Sequence, residues 1–181
     1  MILTDNEILE AIKFGNIVIK PFDRNALGTN SYDIHLGNTL AVYNDKELDA
    51  KKHNTVSYFT IPEEGFVLQP GQLYLGATLE YTETHTHVPF LEGKSSTGRL
   101  GINIHATAGK GDVGFCNHWT LEISCLMPVR IYPGMPIAQI FYFKINHENI
   151  DTMYNKKQSA KYNEITDKPV ESMMWKNFNS Y

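Results

Sequence analysis

Leu73-Tyr74-Leu75-Gly76-Ala77-Thr78-Leu79-Glu80 places an aliphatic side chain at every second position. A period of two is the mark of a strand, whose successive side chains point to opposite faces. The same alternation returns in Ile102-Asn103-Ile104 and Leu121-Glu122-Ile123, and more briefly in Val129-Arg130-Ile131. Ile140-Phe141-Tyr142-Phe143 is a fuller apolar run that fits a buried strand. Turn signals separate these pieces at Pro62-Glu63-Glu64-Gly65, Pro70-Gly71 and Pro133-Gly134. At the N-terminal end the period changes. Thr4-x-x-Glu7 reads as a capping box ahead of Ile8, Leu9 and Ile12, and Gly15 is a natural stop, so a short helix is expected over about residues 5–14. Many short strands with one leading helix predict a mainly β fold, a barrel or jelly-roll-like sandwich.

The chain has 181 residues, 42% of them hydrophobic and 20% charged, which suits one ordinary globular domain and excludes disorder as the main state. A formal charge of -4 argues against a nucleic-acid polymer as partner, since such proteins work through broad basic faces. The two cysteines, Cys116 and Cys125, are too few for a disulfide scaffold and point to a reducing compartment. Met1-Ile2-Leu3-Thr4-Asp5-Asn6-Glu7 lacks the basic start and apolar run of a signal peptide, and no apolar stretch nears the ~20 residues that span a bilayer. A cytoplasmic protein with no membrane partner is the expectation. All 13 glycines lie between Gly15 and Gly134, so the tail is built differently from the body. We divide the chain into a body over 1–150 and a C-terminal arm over 151–181, the arm closing over the active site or over a neighbouring subunit.

The densest polar stretch is 92–122, where six of the 13 glycines fall between positions 93 and 114. Glycine-rich backbone beside Lys94, Ser95, Ser96 and Arg99 suits phosphate: exposed N–H and O–H groups donate and the cations neutralise charge. The order G-x-x-x-x-G-K-[ST] of a Walker A loop is absent. So are the H-x-E and P-C-x-x-C strings of zinc deaminases, and Cys116 and Cys125 stand nine apart, outside zinc-ligand spacing.

Gly93-Lys94-Ser95-Ser96-Thr97-Gly98-Arg99-Leu100-Gly101 resembles the G-R-S-S-x-x-R-L-G motif of dCTP deaminases, members of the trimeric dUTPase superfamily. His105-Ala106-Thr107-Ala108, Asp112-Val113-Gly114-Phe115 and Thr120-Leu121-Glu122-Ile123 resemble the family's H-x-T-A, D-x-G-F/W and T/V-L-E segments, in order and spacing. Ser31-Tyr32-Asp33-Ile34-His35-Leu36-Gly37 and Pro133-Gly134-Met135-Pro136-Ile137-Ala138-Gln139-Ile140 are similar to its early and late strands, and Lys161-Tyr162 to the K-Y of its tail. The likeness covers about residues 1–165.

The resemblance implies a dUTPase-like β-barrel and zinc-independent deamination of dCTP, a hydrolysis of the cytosine C4–N bond that releases ammonia. Some members stop at dUTP; others continue to dUMP and pyrophosphate, the dUMP serving thymidylate synthesis. Ala108-Gly109 is similar to the T-A-G of the two-step members, although Lys110 stands where one-step members carry Arg. The two-step reaction is the favoured reading. The implied catalytic residues are Glu122 as proton carrier, Arg99 and Ser95 at the base and the water, and Ala108 through its backbone carbonyl. Lys94, Ser95, Ser96, Gln139 and Lys161 are implied at the triphosphate, with Tyr162 beside Lys161 in the tail motif. Mg²⁺ would be held mainly by phosphate oxygens and water. Asp112 is implied beneath the sugar and Phe115 on the deoxyribose face, where an aromatic leaves no room for a 2′-OH. A homotrimer with sites between subunits is implied as well.

The chain departs from the family pattern in four places. Lys94 replaces Arg and loses the bidentate fork. Gly111 replaces an aliphatic residue, which predicts a looser loop. Asn117 stands near the usual hairpin Gly and is expected to take the left-handed conformation of a turn. Ile165 stands where Gln is common. Two other readings stay open: a plain dUTPase, against which stand the glycine-free tail and Glu122, and a non-catalytic nucleotide-sensing relative. His85-Thr86-His87 has H-x-H spacing that would put two rings on one face of a strand, but the sequence offers no third metal ligand. Met173-Met174-Trp175 reads as a patch that docks on protein.

Overall fold

The computed structural model describes residues 1–178. A helix α1 (Asp5–Lys13) opens the chain with its capping box intact: the Glu7 N–H donates to Thr4 Oγ1 at 3.4 Å and the Thr4 N–H to Glu7 Oε2 at 2.9 Å. Ile8 and Ala11 turn inward, and Gly15 ends the helix at φ +72°. Among the described residues twelve strands follow: β1 (Ile17–Lys20), β2 (Tyr32–Tyr43), β3 (Val56–Thr60), β4 (Phe66–Leu68), β5 (Tyr74–Thr78), β6 (Tyr81–Thr84), β7 (His87–Gly93), β8 (Ile102–Asn103), β9 (Cys116–Asn117), β10 (Thr120–Cys125), β11 (Val129–Ile131) and β12 (Pro136–Lys144). A five-residue helix α2 (Ser95–Arg99) joins β7 to β8.

The main sheet runs β7-β12-β2-β5-β10-β8, with β3 added on β2. Smaller sheets, β1-β6-β9 and β11-β4, complete a mainly β, nearly closed barrel. Its core is built from alternate residues of the long strands. Ile34, Leu36 and Leu40 of β2, Leu121 and Ile123 of β10, and Ile137, Ile140 and Tyr142 of β12 are all fully buried. No helix among the described residues is long and apolar enough to cross a membrane.

The stretch 73–80 forms its strand, but with an unexpected inner side. Tyr74 belongs to the core, and a Cβ on Gly76 would meet Ile123, Leu36 and Leu40. Leu75 and Ala77 therefore face outward. They are still only 3% and 1% exposed, so all five residues of β5 are buried. Beyond the strand the polarity inverts: Leu79 is 45% exposed while Glu80 is 2% exposed. Glu80 reaches inward because His35 meets it twice, through its N–H at 2.9 Å and its Nδ1 at 2.5 Å.

Two expectations about the loops are corrected. Gly111 does not loosen its loop. A Cβ there would strike the Trp119 indole and approach Pro89 Cγ to 2.9 Å, so the missing side chain admits the tryptophan, and the Gly111 N–H is held by Pro89 O at 2.9 Å. Gly111→Val should overpack this contact and cost about 1–3 kcal/mol, read as a fall of several degrees in Tm; an unchanged Tm would show that the indole is free to move. Asn117 does not adopt a left-handed turn, since among the described residues only glycines have positive φ. It lies buried in β9, and its side chain serves a different purpose, described next.

Candidate functional site

β10 alternates outward and inward, so Leu121, Ile123 and Cys125 enter the core while Thr120, Glu122 and Ser124 face out. The register sets Glu122 opposite Leu75 and Thr120 opposite Ala77. This outer face of β5 and β10 is the floor of a cleft of about 660 Å³. Tyr43, Leu48, Leu73, Ala108, Asp112 and Phe115 line it. From the arm, Tyr154, Tyr162, Val170 and Ser172 line it as well. Glu122 also borders an adjoining recess of about 430 Å³ with His105, Ala106 and Ser124. Its Oε2 accepts the Ala106 N–H at 3.3 Å, and the strand itself is pinned by the Glu122 N–H to Ile104 O at 2.7 Å.

The loop carrying Ala108 is tightly seated. A Cβ on Gly109 would come within 2.6 Å of Leu91 O and 2.9 Å of Glu92 Oε1, so only glycine fits this approach. The Leu91 N–H bonds Gly109 O at 2.7 Å. Asp112 is exposed and accepts from Lys110 Nζ at 2.7 Å. Phe115 is wedged between Trp119 and Tyr154, with ring centroids 4.9 and 5.8 Å away. Burial pushes the Tyr43 and Tyr154 phenols up from their ordinary value, so both are neutral hydroxyls at neutral pH.

The arm is held by side chains to which the sequence motifs assigned no such role. Asn117 Nδ2 donates to Glu164 O at 2.8 Å and Tyr162 O at 3.3 Å, and its Oδ1 accepts the Thr166 N–H at 3.1 Å. Thr120 Oγ1 accepts the Val170 N–H at 3.0 Å, and the Tyr43 hydroxyl accepts the Ser172 N–H at 3.0 Å. His53 clasps Glu171 at 2.7 Å and packs on Trp175 at 5.5 Å, so the late Trp docks on the body. One buried Asn thus satisfies three arm backbone groups at once, a role no local pattern announces. Asn117→Ala should free the segment around 162–166, seen as hydrogen exchange at least about tenfold faster there; unchanged exchange would mean that Asn117 does not hold the arm.

The other expected site residues gather elsewhere. Lys94 stands just before α2, and its side chain is ion-paired with Asp33 of β2. Gln139 of β12 lies opposite Asp33 and Glu92. Ser95 and Ser96 are exposed, and Arg99 donates its Nη1 to Ser95 O at 3.0 Å. Thr97 fastens the short helix to β12 through Ile137 O at 3.2 Å. Lys94, Ser95, Ser96, Arg99 and Gln139 do not line the cleft of Glu122, and Lys161 is half-buried in the arm beside it. The molecule therefore presents two half-sites: a cleft with a carboxylate, an acidic loop and aromatics, and an open surface with cations and hydroxyls. The first can move a proton and hold a flat ring, and the second can bind phosphate.

A family model described as dCTP deaminase-like matches residues 2–145. A protein of Cytophaga hutchinsonii named "dCTP deaminase, dUMP-forming" is 50% identical over 179 residues, covering 98% of this chain and 99% of its own. One of the same name from Hathewaya histolytica is 49% identical over 178 residues, with 98% and 99% covered. Among solved structures, the 2′-deoxycytidine 5′-triphosphate deaminase of Agrobacterium tumefaciens superposes with a TM-score of 0.62 at 22% identity, over 78% of this chain and 47% of that one. That last likeness concerns the fold alone.

Proposed function

The chain belongs to the dCTP deaminase-like family, and from that premise we propose that it converts dCTP to dUMP in two hydrolytic steps. In the first, dCTP and water give dUTP and ammonia; in the second, dUTP and water give dUMP and pyrophosphate. The observation that carries the reading is Glu122, a carboxylate on the open face of β10 that lines a cleft with Ala108, Asp112 and Phe115.

In the first step Glu122 takes a proton from water as its oxygen attacks C4 of the cytosine. The proton passes to N3; Glu122 then takes the proton of the new C4 hydroxyl and hands it to the C4 nitrogen, which leaves as ammonia as C4=O forms, so Glu122 ends in its starting state. The Ala106 N–H keeps the carboxylate directed into the site. The Ala108 carbonyl accepts from the attacking water. Phe115, braced by Trp119 and Tyr154, packs on the deoxyribose and excludes a 2′-OH. Asp112 accepts the sugar 3′-OH and, in the second step, orients the water that cleaves the triphosphate.

Lys94, Ser95, Ser96, Gln139 and Lys161 take the phosphates, with Tyr162 closing beside them. Their donor set of ammonium, hydroxyl and amide groups suits phosphate oxygens rather than a metal, which fits a Mg²⁺ that arrives on the triphosphate and neutralises part of its charge. The separation of the two half-sites within one chain favours a homotrimer in which α2 of one subunit faces the cleft of the next. Ser95 and Arg99 then reach the base and Glu122 from across the interface. Free Cys116 and Cys125 accord with a reducing cytoplasm.

The test is one incubation with dCTP and Mg²⁺ in which ammonia and all nucleotides are followed. Ammonia, dUMP and pyrophosphate in equal amounts are expected. Accumulating dUTP would remove the second step, and absence of ammonia would overturn the proposal.

A further inference from the structure

The H-x-H pair is divided by the fold: His87 joins β7 opposite Lys144, whereas His85 closes the end of β6. The backbone of His85 is tied to Asn16 O at 2.9 Å, which extends the β1-β6 pairing by one residue. Two residues back, Glu83 lies opposite Cys116 of β9, and cross-strand partners share a face. The buried Thr82, Thr84 and Asn117 point to the other face. Glu83, His85 and Cys116 therefore converge on one half-buried surface, with one donor atom of each within 4.8 Å of the others.

We propose that Glu83, His85 and Cys116 form a binding site for Zn²⁺, separate from the proposed reaction centre. One thiolate, one imidazole and one carboxylate make a borderline-soft set that suits zinc over magnesium or calcium, and a water would fill the fourth tetrahedral position. Zinc bonds are about 2.0–2.3 Å, so side-chain shifts of about 1 Å close the three donors on an ion. His85 Nε2 and Glu83 Oε2 already meet at 2.8 Å. Outer partners are in place: the Tyr81 hydroxyl donates to Glu83 Oε1 at 3.0 Å, and Asn155 Nδ2 lies 4.0 Å from the Cys116 sulfur. The Cys116 thiol donates to Gly114 O at 3.4 Å. Binding breaks that S–H bond, forms S–Zn and releases one proton to solvent.

The consequence lies in the position of Cys116, between Phe115 of the cleft and Asn117 of the arm clamp. A zinc bridge from β6 to β9 would stiffen the element that carries both. The proposal does not depend on the reaction assigned above, because its test reads metal binding alone.

The purified full chain, stripped with chelator, is titrated with Co²⁺ and then with Zn²⁺. One Co²⁺ per chain is expected, with an intense near-ultraviolet sulfur-to-cobalt band that zinc abolishes. Cys116→Ser should lose the band, and His85→Gln should bind more than about a hundredfold more weakly, since even loss of an outer partner costs about 10–100-fold. A band that survives in Cys116→Ser, equal affinity in His85→Gln, or no stoichiometric binding by the native chain would each overturn the site. Thermal melts of the metal-free variants separate ligand loss from misfolding, and Glu83→Gln decides if Cys116→Ser fails to fold.

Discussion

Glu122→Gln is expected to lower dCTP turnover by at least about 10²–10⁴, the range that a positioned acid–base group contributes. The amide keeps the size of the side chain and an oxygen to accept the Ala106 N–H. It cannot take a proton from water at neutral pH. Leu75 and Leu73 beside it, and the aromatic wall, remain to hold the nucleotide. Affinity for dCTP should therefore change little while ammonia release disappears. Equilibrium binding and stopped-time product assays on the same preparation separate the two. Turnover within a few-fold of the native enzyme would take Glu122 out of the chemistry. A matching loss of binding would make it a substrate contact instead.

Arg99→Ala is expected to cost about 10²–10³ in turnover, as removal of a charge directed at a reacting centre does. Within its own chain Arg99 donates to Ser95 O at 3.0 Å and is exposed, so the loss of stability should be small. The informative experiment pairs it with Glu122→Gln. Each variant alone is expected to keep only a small residue of turnover. If a trimer shares its sites, a subunit with intact Glu122 beside one with intact Arg99 rebuilds a native centre. Random reassembly of equal amounts then restores about a quarter of the sites. Recovery near that level places the two residues on different subunits. No recovery, with mixed trimers demonstrated by differently tagged chains, would return both residues to one chain.

How much of this could be read in advance varies with the kind of contact involved. The capping box of Thr4 and Glu7 and the helix stop at Gly15 appeared where the pattern put them, and the period of 73–80 marked a strand that covers 74–78. These are local interactions between residues a few positions apart. The facing of β5 was not legible, because Leu75 and Leu79 look alike in sequence. The first is buried in the floor of a cleft that residues some hundred positions later also line, and the second is left in solvent. Gly111 looked loose because its neighbour Trp119 comes from another loop position, and the clash is spatial. Asn117 looked like a turn residue because Asn often is one. Its three bonds to residues 162–166 exist only once the arm is laid down.

The same division holds for the site. Residue order sufficed for the family, the mainly β architecture and the set of residue types that handle a nucleotide, since motif spacing is a property of the chain. Tertiary structure alone decided which of them stand together. It grouped Glu122, Ala108, Asp112 and Phe115 in one cleft and left Lys94, Ser95, Ser96, Arg99 and Gln139 on another surface. It also brought Glu83 and His85 to Cys116, which lies more than thirty positions away. Strand register is the physical reason. A strand delivers alternate side chains to opposite faces, and which strand lies beside it, and in what phase, is settled by long-range pairing and burial rather than by neighbours in sequence.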